Sequence, residues 1–140
     1  MSQWVLDASV VIKWFVPEAL TVEARHWRRI AGALHAPSLL DTELANILWK
    51  KVCRSDLTRP QADKILRRLP RLPIARHPDS TLLTSAFDIA CKAQRTVYDS
   101  LYLALALQLG GQTVTADQRL FNALQPTPWA AAIRWVGDVP

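Results

Sequence analysis

Trp4-Val5-Leu6-Asp7-Ala8-Ser9 carries the decisive pattern near the start of the chain. Trp4-Val5-Leu6 reads as a short buried strand, and an acid follows it at once. Residues 8–15 then read as a brief helix, ended near Pro17. Thr113-Val114-Thr115 repeats the arrangement late in the chain, followed by Asp117 and a short helix over residues 118–124. Strands that hand over directly to helices build a parallel sheet.

Between these two units strands and helices alternate. Residues 21–33 are amphipathic: Ala24, Trp27, Ile30 and Ala31 recur at helical spacing, while Arg25, Arg28 and Arg29 face elsewhere. Leu34-His35-Ala36 is the expected second strand. Ser38 is the expected N-cap of a helix over 39–53, which turns Leu40, Leu44, Ile47, Leu48 and Val52 inward. Lys50, Lys51 and Arg54 crowd its end, where cations suit the helix dipole. Thr58 caps a helix over 60–69, Pro70 and Pro73 interrupt the chain, and Ile74-Ala75 is the expected third strand. Residues 82–94 are helical by pattern. Residues 99–109 are apolar almost all round, which marks a buried helix, and Gly110-Gly111 ends it. Residues 133–136 supply a final strand. The expected fold class is therefore α/β: one domain over residues 1–140, a three-layer α/β/α sandwich whose central sheet is mostly parallel with helices on both faces.

Half of the 140 residues are hydrophobic and 21% are charged, as in ordinary globular proteins, so disorder is not expected. The formal net charge is +5, with Arg far outnumbering Lys. Arg forks phosphate well, but a modest positive charge also serves solubility alone. Cys53 and Cys91 form no zinc-like spacing and are expected as reduced thiols packed like small hydrophobes. The chain enters a strand with no leader-like segment, and residues 101–109, its most apolar stretch, are too short to span a bilayer. A cytoplasmic protein without a membrane contact is expected. The six tryptophans are expected mainly in the core.

Four acids stand where such a sheet would aim them at one point. Asp7 and Asp117 follow strands, Glu43 lies in the first turns of its helix, and Asp99 opens another. Ligands of open α/β sheets bind beyond the carboxyl ends of the strands. Four carboxylates gathered there repel unless a cation joins them, and Mg²⁺ or Mn²⁺ suits an all-oxygen cage. Each acid also has an ordinary reading. Asp7 or Asp99 could cap a helix, and Asp117 could serve a turn. Glu43 resists that reading, because it shares a face with Leu40 and Ile47 and has no basic partner at helical reach. Asn46 adds a second polar group to the same face. Ser9 and Thr115, each two residues from an acid, could orient a water or a phosphate oxygen, or cap a turn. The remaining aspartates read as surface or capping groups, and no histidine is assigned a catalytic role.

Val5-Leu6-Asp7-Ala8-Ser9, residues 37–46, residues 98–106 and Thr113-Val114-Thr115-Ala116-Asp117 together resemble the PIN-domain family, and within it the VapC type of toxin ribonuclease. No one of these motifs is specific, but all four occur in the family's order. The resemblance implies that Asp7, Glu43, Asp99 and Asp117 match the family's acidic quartet, which holds Mg²⁺ or Mn²⁺. It implies endonucleolytic cleavage of RNA, a homodimer, and inhibition by a small co-encoded antitoxin. Residues 57–78 carry no family signature.

Metal-dependent cleavage would proceed without a protein nucleophile, through water activated by one or two ions. Two rivals come from other classes. A phosphoacceptor domain would need paired acids after the first strand and a Lys after the last, and Trp135-Val136-Gly137-Asp138 offers none. A non-catalytic RNA- or antitoxin-binding module with a PIN-like fold is the second.

Overall fold

The computed structural model describes residues 2–140. Five strands form one sheet: β1 (Gln3–Leu6), β2 (Ala33–Pro37), β3 (Ala75–His77), β4 (Gln112–Thr115) and β5 (Ile133–Trp135). Their order is β3-β2-β1-β4-β5, and every neighbouring pair is parallel. The chain leaves β1 toward β2 on one side and later returns to β4 on the other. The crevice between β1 and β4 is therefore the point where strand order reverses, the usual ligand position in such sheets. Asp7 and Asp117 follow these two strands, and the amide of Asp7 donates to the carbonyl of Val114.

Among the described residues, seven α-helices cover the sheet. These are α1 (Ala8–Val11), α2 (Thr21–Arg29), α3 (Leu39–Cys53), α4 (Arg59–Arg68), α5 (Leu83–Ala93), α6 (Val97–Leu109) and α7 (Gln118–Leu124). The alternation of side chains along β1 explains the two cores. Trp4 and Leu6 point into a cluster built with α1 to α4, including Val11, Trp27, Leu40, Leu44 and Ile65. Val5 points into the opposite cluster, built from α5, α6 and α7 with Ile89, Leu103, Leu105 and Leu120. This is the three-layer arrangement expected from the strand–helix alternation.

Several boundaries differ from the sequence pattern. The helix expected over 8–15 is α up to Val11 and then tightens to a 3₁₀ turn through Trp14. α2 stops at Arg29, not at residue 33, because Ile30 turns extended and Gly32 takes φ +131. Ala33 then joins the sheet, its amide bonded to the carbonyl of Ser2. α6 begins two residues early, at Val97, with Thr96 as its cap. β3 runs over 75–77, not 74–75. Cys53 and Cys91 are both exposed, on helix faces turned away from either core. Trp4, Trp14 and Trp27 are buried as expected, whereas Trp49 is exposed.

Candidate active site

Asp7 occupies the N-cap position of α1 but makes no side-chain capping hydrogen bond. Its Oδ2 instead accepts two hydroxyls, Ser9 Oγ and Thr115 Oγ1, each at 2.8 Å. Those hydroxyls in turn accept backbone amides from the turn after β4, Ala116 N to Ser9 and Asp117 N to Thr115, both at 3.0 Å. The two strand ends are thus tied through one carboxylate oxygen. Ser9 and Thr115 thus each hold the Asp7 carboxylate and cap an amide of the turn after β4, so the turn-capping reading holds for both.

Asp99 is the third residue of α6, and its own amide is capped by Thr96 Oγ1 at 3.1 Å. Thr96 thus supplies the amide cap, and its side chain also bonds the Asp99 carboxyl. Asp117 does cap: its Oδ1 accepts the amides of Arg119 and Leu120 at 3.0 and 3.2 Å. Glu43 stands on α3, half-buried, with its Oε1 bonded to the Tyr102 hydroxyl at 2.5 Å. Asn46 is exposed one turn further on and makes no bond within this cluster among the described residues.

Repulsion shows that the acids share one neighbourhood. Burial raises the Asp7 carboxyl above the usual range, and the Asp117 charge adds to the shift. Glu43 is pushed up to about 7, first by burial and then by the charges of Asp7, Asp99 and Asp79. Asp99 is pushed up to about 6 by burial, Asp7 and Asp117, with Arg95 opposing. Burial and the nearby Asp7 and Glu43 also raise the Tyr102 hydroxyl, which therefore stays protonated as a donor. Among the described residues, Glu18, Asp41, Asp63, Asp88 and Asp138 have ion-pair partners, while none of the four clustered acids has one.

A hard divalent cation fits this donor set in kind, since it supplies the positive charge the carboxylates lack. No three of them are grouped tightly enough to ligate one ion as they stand, among the described residues. An ion held by one or two of these carboxylates would complete its coordination with water.

Two contributors escape the sequence pattern. Tyr102 follows Asp99 by three residues, so helical spacing alone puts them on one face. Asp79 arrives from a distant turn and has no such signal. Its Oδ1 accepts the amide of Leu39 at 3.0 Å, while its own amide donates to Ser38 Oγ at 3.1 Å. Ser38 itself makes no capping bond, so the expected cap of α3 is replaced by one from another segment.

The PIN domain family pattern matches residues 4–125. A protein of Pyrobaculum aerophilum named Ribonuclease VapC3 is 36% identical over 118 residues, which covers 83% of this chain and 90% of that one. A Mycobacterium tuberculosis protein also named Ribonuclease VapC3 is 31% identical over 121 residues, covering 86% and 87%. Among solved structures, PAE2754 from Pyrobaculum aerophilum superposes with a TM-score of 0.69 at 24% identity, over 96% of this chain and 84% of that one. No helix among the described residues is long and apolar enough to cross a membrane.

Proposed function

This chain belongs to the PIN-domain family, and from that premise we propose that it is a Mg²⁺- or Mn²⁺-dependent endoribonuclease, the toxin of a pair with a small co-encoded antitoxin. The observation that carries the reading is a group of four acids, without ion pairs among the described residues, around the point where strand order reverses. The relatives named ribonucleases support the substrate class.

A divalent ion held here would supply positive charge to the scissile phosphate and lower the pKa of a bound water. Asp7 and Asp99 are the primary holders. Glu43 and Asp117 would hold it directly or through water. The chain prepares these groups in advance. Ser9 and Thr115 fix one oxygen of Asp7, so its carboxylate does not swing with solvent. Tyr102 fixes one oxygen of Glu43. Without a cation the Glu43 carboxyl is held up at about 7 by burial and its acidic neighbours, the strain that a bound cation would relieve. Arginines outside the acidic pocket hold flanking phosphates without reading sequence.

The antitoxin's simplest inhibitory device is a basic side chain placed among the four carboxylates, where it replaces the cation's charge. The protein is cytoplasmic and works as a homodimer. Exposed Leu83 and Phe87 on α5 offer an apolar surface for that contact.

End-group analysis of cleaved RNA tests the chemistry. Attack by water leaves linear phosphate ends that carry oxygen from isotopically labelled solvent. Cyclic phosphate ends would show that the RNA's own hydroxyl attacks, and would overturn the mechanism. Co-expression with the neighbouring reading frame tests the toxin reading: the small protein copurifies and suppresses cleavage. Its failure to do either would remove the toxin assignment and leave the nuclease.

A further inference from the structure

We propose that the groove beside the acid cluster holds one unstacked base of single-stranded RNA, with Tyr98 as its stacking platform and Asn46 reading its edge. The proposal rests on the ribonuclease reading above and names the part of the substrate that the acids themselves do not touch.

The groove has a volume of about 410 Å³. One wall is a stripe along α3, where Leu39, Glu43, Asn46, Ile47 and Lys50 recur at intervals of three and four residues. The other wall is Tyr98, at the start of α6. Glu43 belongs to the groove and to the acid cluster alike, so the two are continuous. RNA whose phosphate lies among the acids must leave along a neighbouring surface, and this groove adjoins them.

Its chemistry suits a nucleotide. Tyr98 is 61% exposed, sits directly before Asp99, and has no ring partner or hydrogen bond among the described residues. Leu39 and Ile47 give the groove a partly buried apolar floor. Stacking on an exposed aromatic ring is how proteins hold unpaired bases, because every base has a flat face. Asn46 is exposed and makes no hydrogen bond among the described residues, and its amide both donates and accepts, as a base edge requires. Lys50 lies seven residues beyond Glu43, about 10 Å along the helix. It has no ion pair among the described residues, unlike its neighbour Lys51, which is tied to Glu18. A free cation at that distance suits the phosphate of an adjoining nucleotide. A flat ring, an amide and an ammonium beside a phosphate-cleaving centre favour a polyanion with bases over a peptide.

Equilibrium binding of short single-stranded RNA, with each base in turn replaced by an abasic unit, tests the proposal. Binding is measured in chelator by fluorescence anisotropy, for the wild-type chain, Tyr98→Phe, Tyr98→Ala and Asn46→Ala. One abasic position is expected to weaken wild-type binding by about tenfold. Tyr98→Phe keeps that sensitivity, and Tyr98→Ala loses it while binding intact RNA about tenfold more weakly. Asn46→Ala keeps the abasic loss but discriminates less among the four bases at that position. Tyr98 and Asn46 are exposed, so thermal melting of the variants is expected to match wild type. Equal abasic sensitivity in Tyr98→Ala and wild type would overturn the proposal. So would variants that bind RNA normally but lose the co-encoded protein, which would assign the groove to a peptide. Wild-type chain that cuts no RNA under any divalent ion would instead fail the ribonuclease reading itself.

Discussion

Asp99 is a side chain that gains from neutralisation. Its carboxyl is held up at about 6 by burial and by two like charges, and Thr96 supplies the amide cap of the helix. Asp99→Asn is therefore expected to abolish cleavage while leaving the metal-free fold as stable as wild type, or more stable by about 1–2 kcal/mol. Urea denaturation in chelator measures this. A loss of about 1 kcal/mol, as for a deleted cap, would show that Asp99 serves the helix. Tyr102 gives a second test. Its hydroxyl bond favours the charged form of Glu43, so Tyr102→Phe raises the Glu43 carboxyl further above its wild-type value of about 7. Carboxyl NMR titration of the metal-free protein would detect it. An unmoved Glu43 would mean that this bond is not formed in solution.

At this scale the acids were legible in the sequence, because each follows a strand or opens a helix. Their hydrogen-bond partners were less so. Ser9 and Thr115 stand next to acids in the chain, and their proximity could be read. That both converge on one oxygen of Asp7 depends on β1 and β4 being neighbours, a fact of topology.

Elements follow the same division. α3 and α7 were legible to their ends, since α3 carries its apolar residues at helical spacing and α7 is bounded by Asp117 and the turn after Leu124. The start of α6 was not, because Thr96 rather than Asp99 caps it and Val97 and Tyr98 are weak helix formers. The cap of α3 was hidden because it is tertiary. Ser38 and Asp79 bond each other's segments across 41 positions, an exchange no local pattern contains. Asp79→Ala is therefore expected to cost about 1 kcal/mol, comparable to a local cap. Thermal melting with amide exchange at Leu39 would check it, and unchanged protection there would rule out the cap. Gly111 makes the close passage between α6 and β4. A Cβ there would stand 2.1 Å from the Gln3 carbonyl oxygen. Gly111→Ala is expected to push β1 from its seat and destabilise by about 1–3 kcal/mol or more.

The whole molecule combines a net charge of +5 with one pocket of concentrated negative charge. Glu43 and Asp99 are both raised in the folded chain, to about 7 and about 6. Between about pH 4 and pH 7 the folded state therefore holds more protons than the unfolded state at these two sites. Their contribution is most favourable below the unfolded values and is lost as pH rises through the folded ones. Glu18 and His35 are lowered and act in the opposite sense. The difference between wild type and the Glu43→Gln, Asp99→Asn double variant isolates the pair. Because both acids are partly solvated, wild type is expected to lose only about 1–2 kcal/mol relative to the variant between pH 5 and pH 7.5. Saturating Mg²⁺ removes that loss, since the ion binds the ionised form. Parallel pH profiles for the two proteins would mean that the acids do not repel as the geometry requires.

Cleavage of a defined RNA under a chelation cycle bears most directly on the central claim, that four carboxylates act through a divalent ion. The wild-type chain and Asp99→Asn are assayed together in Mg²⁺, then in excess chelator, then with Mg²⁺ restored, while circular dichroism follows the fold. Wild type is expected to cut, stop and resume without a change in fold, and Asp99→Asn to cut at no stage. Undiminished cutting by wild type in excess chelator, or normal cutting by Asp99→Asn in Mg²⁺, would contradict it.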